Sequence, residues 1–297
     1  QTGDTPVFVV NLDRTPDRWI SCQEEFRREG VEAERFSATD GKMMSDEEVR
    51  EKCTLAARYL CTKGMLGCFM SHRRIWEKVD KERLPAAVVL EDDIRLFPGF
   101  KENLKKLEAE LPANCDICLL GAVACISVDV EPWYMKFYSF MAGGGRPSPG
   151  KTRRVSPRVY VPHRPAGTHA YLVTKQGAEK LLRRLPKVCY HVDLTAWALK
   201  DLNLYAAAEF LATQDFEEAS TVSKAGDSRT RRFLKWCWGV TGFDKMTKKG
   251  GVPNIEWSWK AAVFALPVPF TQRRIAVEMG PSSSLWVVLL VAAAVMR

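Results

Sequence analysis

The 297-residue chain lacks any run of about 20 apolar residues, the length a spanning helix needs, and this excludes a multi-span membrane protein. Its apolar stretch Leu285 to Met296 is only 12 residues, too short to span a bilayer unaided; a helix docked on the domain is the first expectation, with a truncated anchor or an out-of-frame end as the alternatives, and membrane association is left open. Histidine is scarce, four in all, and no pair has the H-E-x-x-H spacing of a zinc hydrolase. A G-x-S-x-G nucleophile elbow is missing, and so is an internal repeat. Cysteines number nine, odd and irregularly spaced, which is neither a zinc nor a disulfide framework. The pair Cys115 and Cys118 falls inside the apolar segment Cys115-Asp-Ile-Cys-Leu-Leu120, so a buried strand is expected there instead of a redox site. Cysteine usage leaves the redox compartment open.

Acid is absent from two stretches or nearly so. Ala142 to Arg164 carries six Lys/Arg and no Asp/Glu, and Ser223 to Gly251 carries eight against Asp227 and Asp244. Together they hold +12 of a chain whose net charge is +8, so the remainder is acidic. A nucleic-acid binder more often spreads its positive charge over the folded core. Loop-borne excess points to an anionic ligand and away from DNA or RNA. With 46% hydrophobic and 27% charged residues the composition is that of a globular protein.

What is present alternates. Pro6 to Leu12 reads as a buried strand, and Thr15-Pro16-Asp17 opens a helix that runs to about Glu29 and stops at Gly30. Val31 to Ala38 is the next strand, followed by a turn at Asp40-Gly41. Helices are expected over Asp46 to Leu60 and Gly64 to Asp80, the second with Cys68, His72, Ile75, Trp76 and Val79 on one face. Ala86 to Leu90 is a strand, Phe97 to Leu111 a helix and Asp116 to Gly121 a strand. A long excursion covers about 122–165. Beyond it come a strand over Thr168 to Val173, a Thr174-capped helix to Leu185, a helix from Asp193 to Leu202, and a strand over Leu204 to Ala208. This order predicts an α/β fold with a mostly parallel sheet and helices on both faces. Residues 1–220 form the expected domain, with 221–297 a basic, Trp-containing extension.

Three consecutive carboxylates, Glu91-Asp92-Asp93, follow five apolar residues directly. In an extended chain Glu91 and Asp93 project to one side and Asp92 to the other. Ligands of open α/β sheets bind beyond the carboxyl ends of strands. A divalent cation there would relieve the repulsion and hold a diphosphate; a solvated acidic turn is the alternative. The first strand-to-helix turn, Asn11 to Arg18, pairs a helix N-terminus with Arg14 and Arg18, which suits a phosphate. That turn lacks the glycines of a dinucleotide or Walker loop. His72 lies on the apolar face of its helix and reads first as a core histidine, with a place beside a ligand as the alternative, and His169 and His191 are open between the two. Asp193 sits at an expected helix start, where capping and a general-base role are both open.

In order along the chain stand Val7-Phe-Val-Val-Asn-Leu-Asp-Arg14 with Asp17-Arg18, then Ala38-Thr-Asp-Gly-Lys42. Thr62-Lys-Gly-Met-Leu-Gly-Cys-Phe-Met-Ser-His72 with Ile75-Trp76 follows, then Val89-Leu-Glu-Asp-Asp-Ile94. His169-Ala-Tyr-Leu-Val, Gln176-Gly-Ala-Glu-Lys-Leu-Leu182 and Val192-Asp193 complete the set. This series resembles glycosyltransferase family 25, which includes lipooligosaccharide sugar transferases and the galactosyltransferase domain of collagen-modifying enzymes. The resemblance implies a GT-A-like, Rossmann-like fold, a UDP-sugar donor, a Mn²⁺ or Mg²⁺ ion, and a glycan or protein hydroxyl as acceptor. It further implies that Glu91, Asp92 and Asp93 bind the metal and diphosphate. Asn11, Arg14, Arg18, Asp40 and Gly41 match its donor-side segments, and Gly67, Ser71 and His72 its glycine–serine–histidine helix. Asp193 is implied as the base or an acceptor-binding carboxylate. Met65 stands where the family often has Glu, which bears on donor choice and on activity. A binding module without catalysis and a metal-dependent phosphohydrolase are the rival expectations.

Overall fold

In the computed structural model, residues 4–122, 124–125, 153–162 and 165–214 are described, with the backbone of 263–267 and 274–278. The chain opens with β1 (Val7–Asn11) and α1 (Pro16–Glu29). Pro16 takes the first helical turn, where its missing N–H costs nothing, and Gly30 closes the helix at φ 61°, its N–H turned back to the last carbonyls. There follow β2 (Ala33–Ser37), α2 (Asp46–Lys52), α3 (Leu55–Leu60), α4 (Lys63–Lys81), β3 (Ala86–Glu91), β4 (Ile94–Leu96), α5 (Phe100–Glu110) and β5 (Ile117–Leu119). Short strands β6 (Ala124–Cys125), β7 (Arg153–Arg154), β8 (Val159–Val161) and β9 (Pro165–Ala166) precede β10 (Ala170–Thr174). Then come α6 (Lys175–Arg184), α7 (Val192–Ala196), β11 (Leu204–Ala207) and β12 (Ala212–Gln214), and a hairpin of β13 (Val263–Pro267) with β14 (Arg274–Glu278).

Eight strands form one sheet in the order β2-β1-β3-β10-β5-β11-β8-β7. Strands β2, β1, β3, β5, β11 and β7 run one way, and β10 and β8 run against them. The expected mostly parallel sheet with helices on both faces is therefore the observed one. Alternate side chains of each strand go to opposite faces. Phe8, Val89 and Tyr171 meet Phe69, Ile75 and Trp76 of α4 and Leu181 of α6. On the other side Val7, Val9, Leu90 and Leu172 meet Cys22 and Phe26 of α1 and Phe100, Leu104 and Leu107 of α5. Each such fully buried side chain contributes roughly 1.5–3 kcal/mol relative to exposure. Cys115 and Cys118 belong to this second core, and burial pushes the Cys115 thiol up to about 12, so both sulfurs are packing groups. No helix among the described residues is long and apolar enough to cross a membrane.

Several expected elements end elsewhere, each for a tertiary reason. The single helix expected over Asp46 to Leu60 breaks at Cys53, because Lys52 O and the Thr54 N–H both bond to Val188 and Thr54 then caps α3. The expected helix from Phe97 starts at Phe100, behind Gly99 at φ 75°. The helix expected from Asp193 to Leu202 stops at Ala196: Trp197, Leu199, Leu202 and Leu204 all bury at a spacing no single helical stripe provides. Within the expected excursion, Val159–Val161 returns to pair with β11. Most of the 122–165 segment, the Trp-rich basic stretch after Gln214 and the Leu285 to Met296 run lie outside the described residues.

One close approach positions the site. The loop after β2 sits against the first turn of α4 so tightly that a Cβ on Gly67 would lie 2.5 Å from Thr39 O, and one on Gly41 would lie 1.7 Å from Lys63 O. Ser71 Oγ fastens the same junction, donating to Gly67 O at 2.7 Å and accepting from the Thr39 N–H at 2.9 Å. Replacing Gly67 by Ala is expected to lower unfolding free energy by about 1–3 kcal/mol through forced separation of loop and helix. Urea unfolding against the unmodified chain measures it, and an unchanged midpoint would show that the loop gives way freely.

Candidate functional site

The chain leaves β1 for β2 on one side and β3 on the other, so the carboxyl ends of β1 and β3 flank a topological switch point. A cleft of roughly 210 Å³ lies there. It is lined from β1 and its turn by Val10, Leu12 and Arg14, from the β2 loop by Ala38 through Lys42, and from α4 by Thr62, Lys63, Gly64, Cys68, Ser71 and His72. Glu91 and Asp92 close it at the end of β3. Arg14, Asp40, Gly41, Ser71, His72, Glu91 and Asp92, singled out in sequence, thus share one cavity.

Each carboxylate of the acidic triplet has a different environment. Glu91 is the last residue of β3 and lies on the α4 side, 23% exposed, with Oε1 accepting from Thr168 Oγ1 at 2.6 Å and lying 3.3 Å from His72 Nε2. Burial works to raise its carboxyl, and the His72 ring and Thr168 hydroxyl outweigh that, holding it below the ordinary value. Asp92 faces the α1 side, where Arg18 Nη1 donates to Oδ1 at 2.6 Å and Asn11 Nδ2 to Oδ2 at 2.7 Å. The alternation expected of an extended chain holds for Glu91 against Asp92. It ends there, because Asp92 and Asp93 make the turn into β4. Asp93 accepts from Gln214 Nε2 at 2.8 Å and lies 3.6 Å from Arg18 Nη2.

Asp93 Oδ1 is buried with no hydrogen-bond partner. Burial, with the neighbouring Glu91 charge, pushes this carboxyl up to about 7. A buried acid left short of donors beside a second acid is the electrostatic environment that a bound divalent cation would relieve, so the residues present fit a hard metal ion. Glu91, which lines the cleft, and Asp93, which is not among its lining residues, would hold it, while Asp92 is committed to Arg18 and Asn11.

The donor-side residues divide into those that face the cleft and those that support it. Asn11 is buried and acts as a hub: Nδ2 donates to Asp92 and to Thr15 O, and Oδ1 accepts from Arg35 Nε at 2.7 Å. Arg14 Nε donates to Asp40 Oδ2 at 2.6 Å, and the Lys42 N–H donates to Asp40 Oδ1 at 3.0 Å, which together overcome burial and keep Asp40 ionised. Gly67 acts through the loop packed on it. His72 is fully buried, with Nδ1 3.0 Å from Tyr171 Oη, which also accepts from Trp76 Nε1 at 3.0 Å. Asp193 is not among the lining residues. Its carboxylate accepts from the Gly167 N–H and the Leu194 N–H, each at 2.8 Å, and so fixes the loop that presents Thr168 to Glu91.

Four participants escaped the sequence reading. Lys42 and Lys63 line the cleft and Thr168 orients Glu91, and all three stood inside or beside quoted motifs. Gln214 lies 121 residues from Asp93 and reaches it only because β12 pairs with β4, a contact no local pattern encodes. Met65, the departure noted in α4, does not line the cleft. It occupies the third helical position, and its sulfur accepts the Thr62 N–H at 3.4 Å, the bond a Glu there makes in a capping box.

With the cleft described, its relatives can be placed. A cleft at the switch point of a mostly parallel sheet is where open α/β proteins place their ligands. A model of the family described as Glycosyltransferase family 25 (LPS biosynthesis protein) matches residues 4–196, and the chain belongs to that family. A glycosyltransferase 25 family member of Aedes aegypti is 28% identical over 197 residues, covering 62% of this chain and 29% of the relative. Human procollagen galactosyltransferase 2 is 30% identical over 114 residues, 35% of this chain and 18% of that protein. A Bos taurus protein named probable inactive glycosyltransferase 25 family member 3 is 34% identical over 133 residues, 40% of this chain and 22% of the relative. The chain thus spans under a third of the length of these relatives. Among solved structures, the galactosyltransferase LgtC aligns with 7% identity and TM-score 0.37 over 68% of this chain and 73% of that one.

His169, whose carbonyl accepts the Glu91 N–H, gives the fold a pH dependence. Burial holds its ring down to about 4, and Nδ1 has no hydrogen-bond partner. Between about 4 and the ordinary 6.5 the unfolded chain binds a proton that the folded chain refuses, so this residue's contribution to stability falls as pH drops through that window. His169→Gln is expected to lose less stability than the unmodified chain between pH 6.5 and 4, by on the order of 3 kcal/mol. Parallel curves in urea titrations across that range would contradict this.

Proposed function

We propose that this chain is the donor-binding, catalytic unit of a glycosyltransferase that moves a hexose, galactose in our reading, from a UDP-sugar to a hydroxyl of a glycan or protein. The observation that carries it is the cleft at the ends of β1 and β3, with Glu91 and Asp92 on one wall and Arg14, Lys42 and Lys63 on the others. Cationic and acidic residues lining one cavity suit a diphosphate that brings its own counter-ion. A Mn²⁺ or Mg²⁺ ion bound by Glu91 and Asp93 would supply positive charge against the leaving diphosphate.

The chain's own residues do the rest. Arg14, Lys42 and Lys63 attract the donor and hold its phosphates. Asn11 and Arg18 keep Asp92 from turning toward the anion, and Thr168 keeps Glu91 in its rotamer. Gly41, Gly67 and Ser71 hold the β2 loop in place as one wall of the cleft. For the acceptor proton the chain offers Asp193, its carboxylate oriented by two backbone N–H groups. The rival reading, a module that binds donor or glycan without turnover, draws on relatives named inactive. Met65 lends it no support, since its sulfur takes a capping role away from the cleft.

The test is release of UDP from UDP-galactose, UDP-glucose and UDP-N-acetylglucosamine with and without Mn²⁺, using acceptor hydroxyls in trans. Metal-dependent UDP release is expected, and Asp93→Asn should lower kcat/KM at least 100-fold, about 2.7 kcal/mol of transition-state stabilisation. Calorimetric binding of UDP without any turnover would favour the binding module. Release of inorganic phosphate instead of UDP would make it a phosphohydrolase.

A further inference from the structure

Three different donor atoms converge on the α4 wall of the cleft. Cys68 Sγ, a ring nitrogen of His72 and a carboxylate oxygen of Glu91 all lie within 4.8 Å of one another. Cys68 and His72 are four residues apart on one helix face, and Glu91 reaches them from the end of β3. His72 is fully buried, yet its Nε2 has no hydrogen-bond partner. The Glu91 oxygen stands 3.3 Å away but outside hydrogen-bond alignment. That separation is the one two ligands of a single ion adopt: zinc with N and O bonds of about 2.1 Å sets a tetrahedral edge of about 3.4 Å.

The supporting shell is already built. Tyr171 Oη meets His72 Nδ1 at 3.0 Å and is itself fixed by Trp76 Nε1, which holds the ring with Nε2 toward Cys68 and Glu91. Thr168 Oγ1 holds the Glu91 carboxylate at 2.6 Å. Cys68, His72 and Glu91 are all among the residues that line the cleft. A thiolate, an imidazole and a carboxylate select zinc or a similarly soft divalent ion over Mg²⁺ or Mn²⁺.

We infer that Cys68, His72 and Glu91 form a three-ligand site for one zinc-class cation, open to the cleft. On binding, Cys68 gives its thiol proton to water and its sulfur lone pair to the metal, with no change of oxidation state. Glu91 also belongs to the acidic motif, so a soft ion seated here withdraws a carboxylate from a hard one. The inference concerns metal binding and stands whether or not the chain transfers sugar.

Cobalt reports the site directly, because a thiolate–cobalt bond gives a near-ultraviolet charge-transfer band that nitrogen and oxygen ligands do not. Chelator-stripped protein titrated with Co²⁺ is expected to develop this band to one equivalent, and Zn²⁺ should abolish it. Cys68→Ser should eliminate the band with circular dichroism unchanged, and Glu91→Gln should weaken Co²⁺ binding at least tenfold while keeping the band. Absence of the band, or its full persistence in Cys68→Ser, overturns the site. UDP release without a cobalt band would leave the transferase reading intact and sink this one, and a band without turnover would do the reverse.

Discussion

Three acids at the end of one buried strand have to be accommodated, and the surrounding structure is arranged around that need. Burying a carboxylate without partners is costly, and two side by side are worse. The chain answers by sending each acid to a different element. Glu91 goes to α4 and the loop before β10, Asp92 to the opening turn of α1, and Asp93 to β12. Of the three, only Asp93 keeps a buried oxygen with no hydrogen-bond partner. The binding chemistry attributed to the cleft grows from that shortfall, which an apolar strand end would not have created.

The same constraint explains why residues that look catalytic in sequence are partly architectural. Asn11 serves Asp92, Thr15 and Arg35 at once. Gly67 and Ser71 hold a neighbouring loop, and Asp193 secures the backbone ahead of Thr168. A family pattern therefore marks two kinds of position, those facing a ligand and those without which the facing residues would point elsewhere. Met65 belongs to neither kind: its sulfur accepts the Thr62 N–H at the start of α4, a capping contact away from the cleft.

Much of the fold was legible because its signals are local. Pro16 and Gly30 delimit α1, Thr174 caps α6, and the apolar runs of β1, β3 and β5 have no polar face to hide. The turn that brings Leu12 and Arg14 to the cleft was legible for the same reason, since it follows β1 without a gap. What the sequence concealed depends on pairing at a distance. The break at Cys53 answers to Val188, the supporting role of Gln214 to the β4–β12 pair, and the meeting of Cys68 with Glu91 to the packing of α4 on β3. In a helical reading Cys68 and His72 are simply two members of an apolar stripe. Only the strand end opposite them turns that stripe into a set of ligands.

The backbone contact between Gly41 and Gly67 has a consequence for how the cavity meets its guest. With no side chain at either position, loop and helix interlock, and backbone contacts hold this wall with no side chain between them. A visitor docking against it forfeits its own tumbling freedom but asks for little reorganisation from its host. On this side of the cleft, recognition resembles a key entering a cut lock more than a hand closing.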